Sequence, residues 1–197
     1  MNTQEDQIPA SEKPIKITII LSTTAYFISG IRDFTFNLVK NVTGFSNQWA
    51  FRFQSIVDEL CNNSIEHGSR PGEDIKITFI SEKNKSLSVI VEDTGTGPKP
   101  KTAQEMYQAV EELKKNPWQI GIRGRGLAQI ISKWTDKLDF EDLPTKGLKI
   151  SIIKYLNPEE NKQVSAPRIN LGALDFNQPA YAAQPNNIGI GAPIATL

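Results

Sequence analysis

Glu59 and Asn63 stand four positions apart on a helical pattern, which sets a carboxylate and an amide about 40° apart along one helix edge. A carboxylate there can serve as a general base, and an amide oxygen beside it can ligate Mg²⁺, a cation that takes hard oxygen donors. Asp93 ends the row Leu87, Val89, Val91, which strand alternation puts on one face. A buried carboxylate without a partner costs several kcal/mol, so Asp93 calls for a donor such as the exocyclic amine of adenine. Gly95 and Gly97 beside it let the backbone approach a flat ring. A third group, Arg123-Gly124-Arg125-Gly126-Leu127, opens another helical pattern. Free amides at a helix start make an anion site, and the arginines add charge-assisted donors suited to phosphate. Each group alone has a plainer reading: polar residues bordering an amphipathic helix, a strand-ending turn in which Asp93 caps its own backbone, and an ordinary glycine loop.

These residues need elements to hold them. Lys16 to Leu21 is rich in β-branched residues and predicts a first strand. Residues 25 to 41 show helical spacing through Phe27, Ile31, Phe34 and Leu38, ending before Gly44. A second helix is expected from a Ser46 cap to Gly68, with Trp49, Phe53, Ile56, Leu60 and Ser64 as its apolar stripe. Ile75 to Ile80 and Leu87 to Asp93 predict a hairpin around the polar turn Glu82 to Lys85. The run from Pro98 to about residue 121 is long for a plain connection and reads as a lid. A third helix from Gly126 to Trp134 and strands over Lys137 to Phe140 and Leu148 to Tyr155 complete the pattern. Strands broken by helices that gather on one side predict an α/β sandwich of two layers.

Composition narrows the setting. Lys plus Arg number 22 and Asp plus Glu number 22, and this balance argues against nonspecific attachment to nucleic acid or to an anionic membrane. No apolar run approaches the roughly 20 residues that span a bilayer. Residues 1 to 14 are a polar lead without signal-peptide character, and Cys61 is the single cysteine, so a reducing, cytoplasmic setting is expected. One domain is expected over residues 15–156, followed by a Pro-, Asn- and Gln-rich tail over 157–197. Ile169, Leu171, Leu174, Phe176 and Tyr181 give that tail apolar anchors. His67, the only histidine, is expected to satisfy carbonyls in the last helical turn rather than to act in catalysis. With one His and one Cys, a zinc site is not expected, and no nucleophile elbow is present.

Taken in order, the three groups resemble the signature boxes of the GHKL family of ATP-binding domains. Glu59 and Asn63 match its N box, Asp93, Gly95 and Gly97 its first glycine box, and Gly124 and Gly126 its second. Within that family, the short domain and the stretch from Glu59 to His67-Gly68 look most like bacterial anti-sigma factor serine/threonine kinases. The resemblance spans roughly residues 16 to 155. It implies the Bergerat ATP-binding fold, with a mixed sheet covered on one face by about three helices.

What the resemblance implies can be placed on this chain. Glu59 would be the base that activates the attacking hydroxyl, and Asn63 would hold Mg²⁺. Asp93 would receive the adenine amine, with Gly95 and Gly97 forming the hinge under the base. Gly124, Gly126 and the flanking Arg123, Arg125 and Leu127 would wrap the phosphates of ATP, and Arg32 would reach the terminal phosphate. The partners implied are a STAS-type anti-anti-sigma protein as substrate and a sigma factor as the alternative partner. Family members often dimerise, so a homodimer is one arrangement open to the chain. Two departures stand out: Gly147-Leu148 replaces the family's usual Gly-Thr, whose hydroxyl lies near adenine, and Arg123 and Arg125 both sit slightly off the family's register. Two rival readings remain, a binding protein that sequesters a partner without chemistry and a detached histidine-kinase catalytic domain. No histidine precedes the N box to accept phosphate in the second of these.

Overall fold

The computed structural model describes residues 13–115 and 134–158. Its strands are β1 (Ile15–Ser22), β2 (Asp74–Glu82), β3 (Ser86–Glu92), β4 (Lys137–Asp142) and β5 (Leu148–Tyr155), and they form one sheet in the order β1-β2-β3-β5-β4. Apolar side chains alternate along each strand, so one face of the sheet is dry. Ile75, Ile77, Phe79, Leu87, Val89 and Ile152 are all fully buried there, each contributing roughly 1.5–3 kcal/mol. The opposite face carries Lys76, Glu92, Lys149 and Glu141 side by side on successive strands. Their signs alternate, and Lys76 pairs with Glu92 (2.6 Å) and Lys149 with Glu141.

Three helices lie over the dry face or against its edge: α1 (Ile28–Leu38), α2 (Asn47–Asn63) and α3 (Ala103–Lys115). The two-layer sandwich expected from the sequence is therefore present, with one correction. The sheet is antiparallel in every pairing rather than mixed. The cause is the connection between β1 and β2. It contains two helices, and the contacts Arg32–Asp58 and Phe36–Phe51 show that they run antiparallel to each other. An antiparallel helix pair returns the chain to the sheet end it left, so the next strand runs the opposite way; a single crossover helix would have made the pair parallel.

The helical runs stop at Gly44 and Gly68 and restart after Ser46 as expected, but they are not α-helical throughout. A single 3₁₀ turn, Ala25–Phe27, precedes α1, and wide π turns, Val39–Thr43 and Ser64–Gly68, follow α1 and α2. Ser46 occupies the cap of α2 with extended backbone, but its hydroxyl makes no cap bond. Its carbonyl accepts the amides of Trp49 (2.9 Å) and Ala50 (3.1 Å) instead. The helix expected from Gly126 to Trp134 lies, except for Trp134, outside the described residues, as does the tail beyond residue 158. The third helix seen is α3, inside the segment read as a lid. It is closed by a capping box, with Glu105 N–H donating to Thr102 Oγ1 (3.2 Å) and Thr102 N–H to Glu105 Oε2 (2.8 Å). From α3, Tyr107 accepts the Phe140 amide (3.1 Å) and donates to Asp139 (2.6 Å), which covers the β4 edge of the sheet.

Among the described residues, no helix is long and apolar enough to cross a membrane. The topology gathers five chain segments at one end of the sheet: the end of β1, the end of α2, the start of β2, the end of β3 and the start of β5. The candidate site lies at that end.

Candidate functional site

Asp93 follows β3 directly and is half-buried. Its amide donates to the Leu148 carbonyl (3.0 Å). Its Oδ1 accepts two backbone amides, from Leu148 (2.9 Å) and Gly95 (3.0 Å). Burial pushes the Asp93 carboxyl above its ordinary value, and the two amides only partly offset this. A carboxylate held in this way gains from a further donor on its second oxygen.

Beside it lies a cavity of about 170 Å³, lined by Asn63, Ser64, His67, Gly68, Asp93, Lys99, Lys101, Met106, Leu148 and Ile150. Its walls are mainly apolar, from Met106, Leu148 and Ile150, with Asp93 as the acceptor. Apolar walls with one acceptor fit a flat ring carrying an amine donor. The volume is below the roughly 300–1,000 Å³ of a whole small-molecule site, so the cavity suits the base of a nucleotide and leaves its phosphates outside. Larger hollows along α3, and on the outer sheet face near Thr94 and Thr96, lie apart from Asn63.

The glycines are required by close backbone approach. Gly95 has φ +67°, and a Cβ there would collide with the Lys146 carbonyl. At Gly97 a Cβ would run into the His67 carbonyl and lie 2.7 Å from the Ser69 amide nitrogen. Gly68 was expected as a helix stop. It does end the π turn Ser64–Gly68, without a left-handed φ, and it also leaves space, because a Cβ there would strike the Asp93 carboxylate.

Of the other residues predicted from sequence, Asn63 lines the cavity. Glu59 sits one turn earlier on α2, half-buried, and has no hydrogen bond or ion pair among the described residues. Arg32, on α1, forms an ion pair with Asp58, the neighbour of Glu59, and this partner raises its pKa. Arg123, Gly124, Arg125, Gly126 and Leu127 lie outside the described residues. His67 lines the cavity, and its carbonyl accepts the Lys99 amide (3.3 Å). Cys61 is buried, with its thiol pushed up to about 12 by burial, and so is inert as a nucleophile. Sequence reasoning missed Lys99, Lys101, Met106 and Ile150. The pattern Pro98-Lys99-Pro100-Lys101, two cations in a stiffened segment straight after the glycines, was the available signal for the first two.

Among the described residues, no group of three His, Cys, Asp or Glu side chains is placed to hold a metal. Asn63 offers a single neutral oxygen, so Mg²⁺, which takes hard oxygen donors and keeps several waters, would rest mainly on phosphates at this site.

The sequence pattern of the histidine kinase-like ATPase domain matches residues 22–154, a span that takes in Glu59, Asn63, Asp93 and both glycine groups. The chain belongs to this family. No curated protein matches it. The five-stranded sheet with its helices is thus the α/β sandwich of the GHKL ATPase fold. Histidine kinase-like ATPase domains bind ATP, usually with Mg²⁺. The cavity against Asp93 is in keeping with that, and its chief departure is Leu148, 4% exposed, which sets a hydrocarbon wall beside the carboxylate.

Proposed function

We propose that this histidine kinase-like ATPase domain is a regulatory serine/threonine kinase of the anti-sigma type. In this reading, it phosphorylates a serine on a STAS-type anti-anti-sigma protein and binds a sigma factor as the alternative partner. The observation that carries the reading is the pair on α2: Asn63 in the cavity wall and, one turn before it, a Glu59 carboxylate without a partner among the described residues. ATP, bound with Mg²⁺, supplies the phosphoryl group. Asp93 holds the base, Asn63 contributes an oxygen toward the metal, and Arg32 reaches the terminal phosphate. Glu59 takes the proton from the attacking serine hydroxyl as the new P–O bond forms and ADP leaves. Positioning dominates such transfers, so the residues that fix geometry matter most.

The test is transfer of labelled phosphate from Mg-ATP to a STAS-domain protein, with wild type and Glu59→Ala. The expected result is acid-stable phosphoserine with wild type and none with the variant, while nucleotide binding is kept. Acid-labile phosphate, or undiminished transfer by Glu59→Ala, would contradict the assignment. A second reading, partner binding without chemistry, is favoured by Leu148, whose side chain takes the place of a hydroxyl in the cavity wall. It predicts partner inhibition by both proteins and phosphate transfer by neither.

A further inference from the structure

The loop that carries Asp93 is fastened from below by a carboxylate outside the three motifs. Glu73 lies just before β2, in the segment that leads from α2 to the sheet. Its Oε2 accepts three donors: the hydroxyls of Thr94 and Thr96 and the amide of Arg70 (3.1 Å). The two threonines flank Gly95, and their hydroxyl oxygens are 2.8 Å apart. One carboxylate oxygen thus grips both shoulders of the residue whose amide holds Asp93 Oδ1. The grip is anchored on its far side. The Glu73 carbonyl accepts the Thr23 amide (2.7 Å), and the Glu73 amide donates to the Arg70 carbonyl (3.2 Å). Arg70 Nε donates to the Thr96 carbonyl (3.0 Å), and the Thr94 amide donates to Ser69 Oγ (3.1 Å). The Ser69 amide in turn donates to the Ser64 carbonyl (2.8 Å), in the cavity wall.

The geometry points to Glu73 as a positioning residue for nucleotide binding, which clamps Thr94 and Thr96 so that Gly95 presents Asp93 to the cavity. The physical case is the number and kind of bonds. Hydrogen bonds to an ionised acceptor are roughly twice as strong as neutral ones, and three converge on one oxygen. They close a loop whose central residue is a glycine in the left-handed region, close against the Lys146 carbonyl. Glycine takes up other backbone conformations as readily, so bonds from outside are what hold the loop in this one. The hydroxyl hydrogen bonds and the Arg70 amide also hold the Glu73 carboxyl below its ordinary value, so the clamp is ionised wherever an ordinary glutamate is. Without it, the loop would sample other arrangements, and nucleotide affinity would fall by the fraction of time that Asp93 is misplaced. The inference rests on the cavity being the nucleotide site.

The test uses the full chain and Mg-ADP, with the dissociation constant measured calorimetrically for wild type, Glu73→Gln, Thr94→Val/Thr96→Val and Thr94→Ser/Thr96→Ser, and with Asp93→Asn as the control for the site. All variants are compared at a temperature where far-UV circular dichroism shows them folded. We expect Glu73→Gln and the double valine variant each to weaken ADP by about tenfold or more, as loss of bonds to a charged group implies. The double serine variant keeps both hydroxyls and should bind as wild type does. Combining Glu73→Gln with the valines should add little, because both changes remove the same clamp. Wild-type affinity in Glu73→Gln, alongside lost binding in Asp93→Asn, would overturn the clamp and leave the nucleotide site standing. Additive losses would overturn it too. Should Glu73→Gln fail to fold, undiminished binding by the double valine variant overturns the clamp in the same way. No ADP binding by wild type would take down the nucleotide site and the clamp together.

Discussion

The amide of Leu148 donates to Asp93 Oδ1 at 2.9 Å, tying the start of β5 to the residue that follows β3. The bond is made by backbone, so it survives any residue at position 148 except proline, while Leu148 lines the cavity. Leu148→Thr should therefore keep Asp93 in place and add a hydroxyl to the wall. We predict tighter ATP binding, at a cost of about 1–3 kcal/mol of stability for the lost apolar burial and the buried hydroxyl. Calorimetric titration and urea unfolding of the variant check both parts, and weaker ATP binding would show that Leu148 is itself a contact.

Asp93 also predicts a pH signature. Its carboxyl titrates above the ordinary 3.8 in the folded state. Between those two values the folded protein binds more protons than the unfolded chain. The Asp93 contribution to stability therefore falls as pH rises through that window and is constant above it. Asp93→Asn removes this titration and keeps an oxygen for both amides. The stability of wild type relative to the variant should decline across the mildly acidic range, then level off with the variant at least as stable at neutral pH. Glu73 and Glu105 shift the other way, so their stabilisation is present above the ordinary glutamate value and lost as pH falls through their lowered ones. That loss is common to both proteins and cancels in the difference. Urea unfolding of both across pH is the measurement, and a difference that grows with pH would contradict it.

Gly68→Ala tests whether the space beside Asp93 is functional. The added methyl meets the carboxylate, which must swing away or push the π turn Ser64–Gly68 off the sheet end. We predict about tenfold or weaker nucleotide binding and a stability loss of about 1–3 kcal/mol, as for overpacking of a close-packed site. Titration of the variant with ADP decides it, and unchanged affinity would mean that the carboxylate has room to spare.

The strands were legible because alternation is a direct consequence of one dry face. The bounds expected for β5, Leu148 to Tyr155, are those found, and its buried residues Leu148, Ile150 and Ile152 are the alternating ones. The ends of the helical runs were legible, at Gly44 with its left-handed φ and at Gly68, but the change from α to wide π turns over Val39–Thr43 and Ser64–Gly68 was not, since those turns continue the apolar spacing of the helices they follow. The start of α3 was legible and was passed over: Thr102 and Glu105 form a capping-box pattern in the sequence. Asn63 and Asp93, which line the cavity, and Gly95, whose amide holds Asp93, are singled out by residue type and spacing. Gly68 and Glu73 could not be assigned their roles, because each depends on a contact with residues 93 to 96 that only the fold creates.

Arg32 separates stability from chemistry. Its pair with Asp58 is exposed on the arginine side (49%) but mostly buried on the aspartate side (21%), where Asp58 Oδ1 is buried without a hydrogen-bond partner among the described residues. Arg32→Ala leaves that carboxylate unpaired and should lower stability by about 1–3 kcal/mol, yet depress phosphoryl transfer far more if the guanidinium serves the terminal phosphate. Parallel denaturation and transfer assays compare the two effects, and full transfer by the variant would leave Arg32 a purely structural partner of Asp58.

The central claim is that Asp93 anchors a nucleotide in the cavity between α2 and β5. Thermal melts with and without Mg-ATP, on wild type and on Asp93→Asn, test it most directly. Ligand at about 100 times its dissociation constant adds about 2.7 kcal/mol, a rise of roughly 5–10 °C for a chain of this size. The account predicts that rise in wild type and its loss in Asp93→Asn. No rise in wild type at millimolar nucleotide, or an equal rise in the variant, would contradict it.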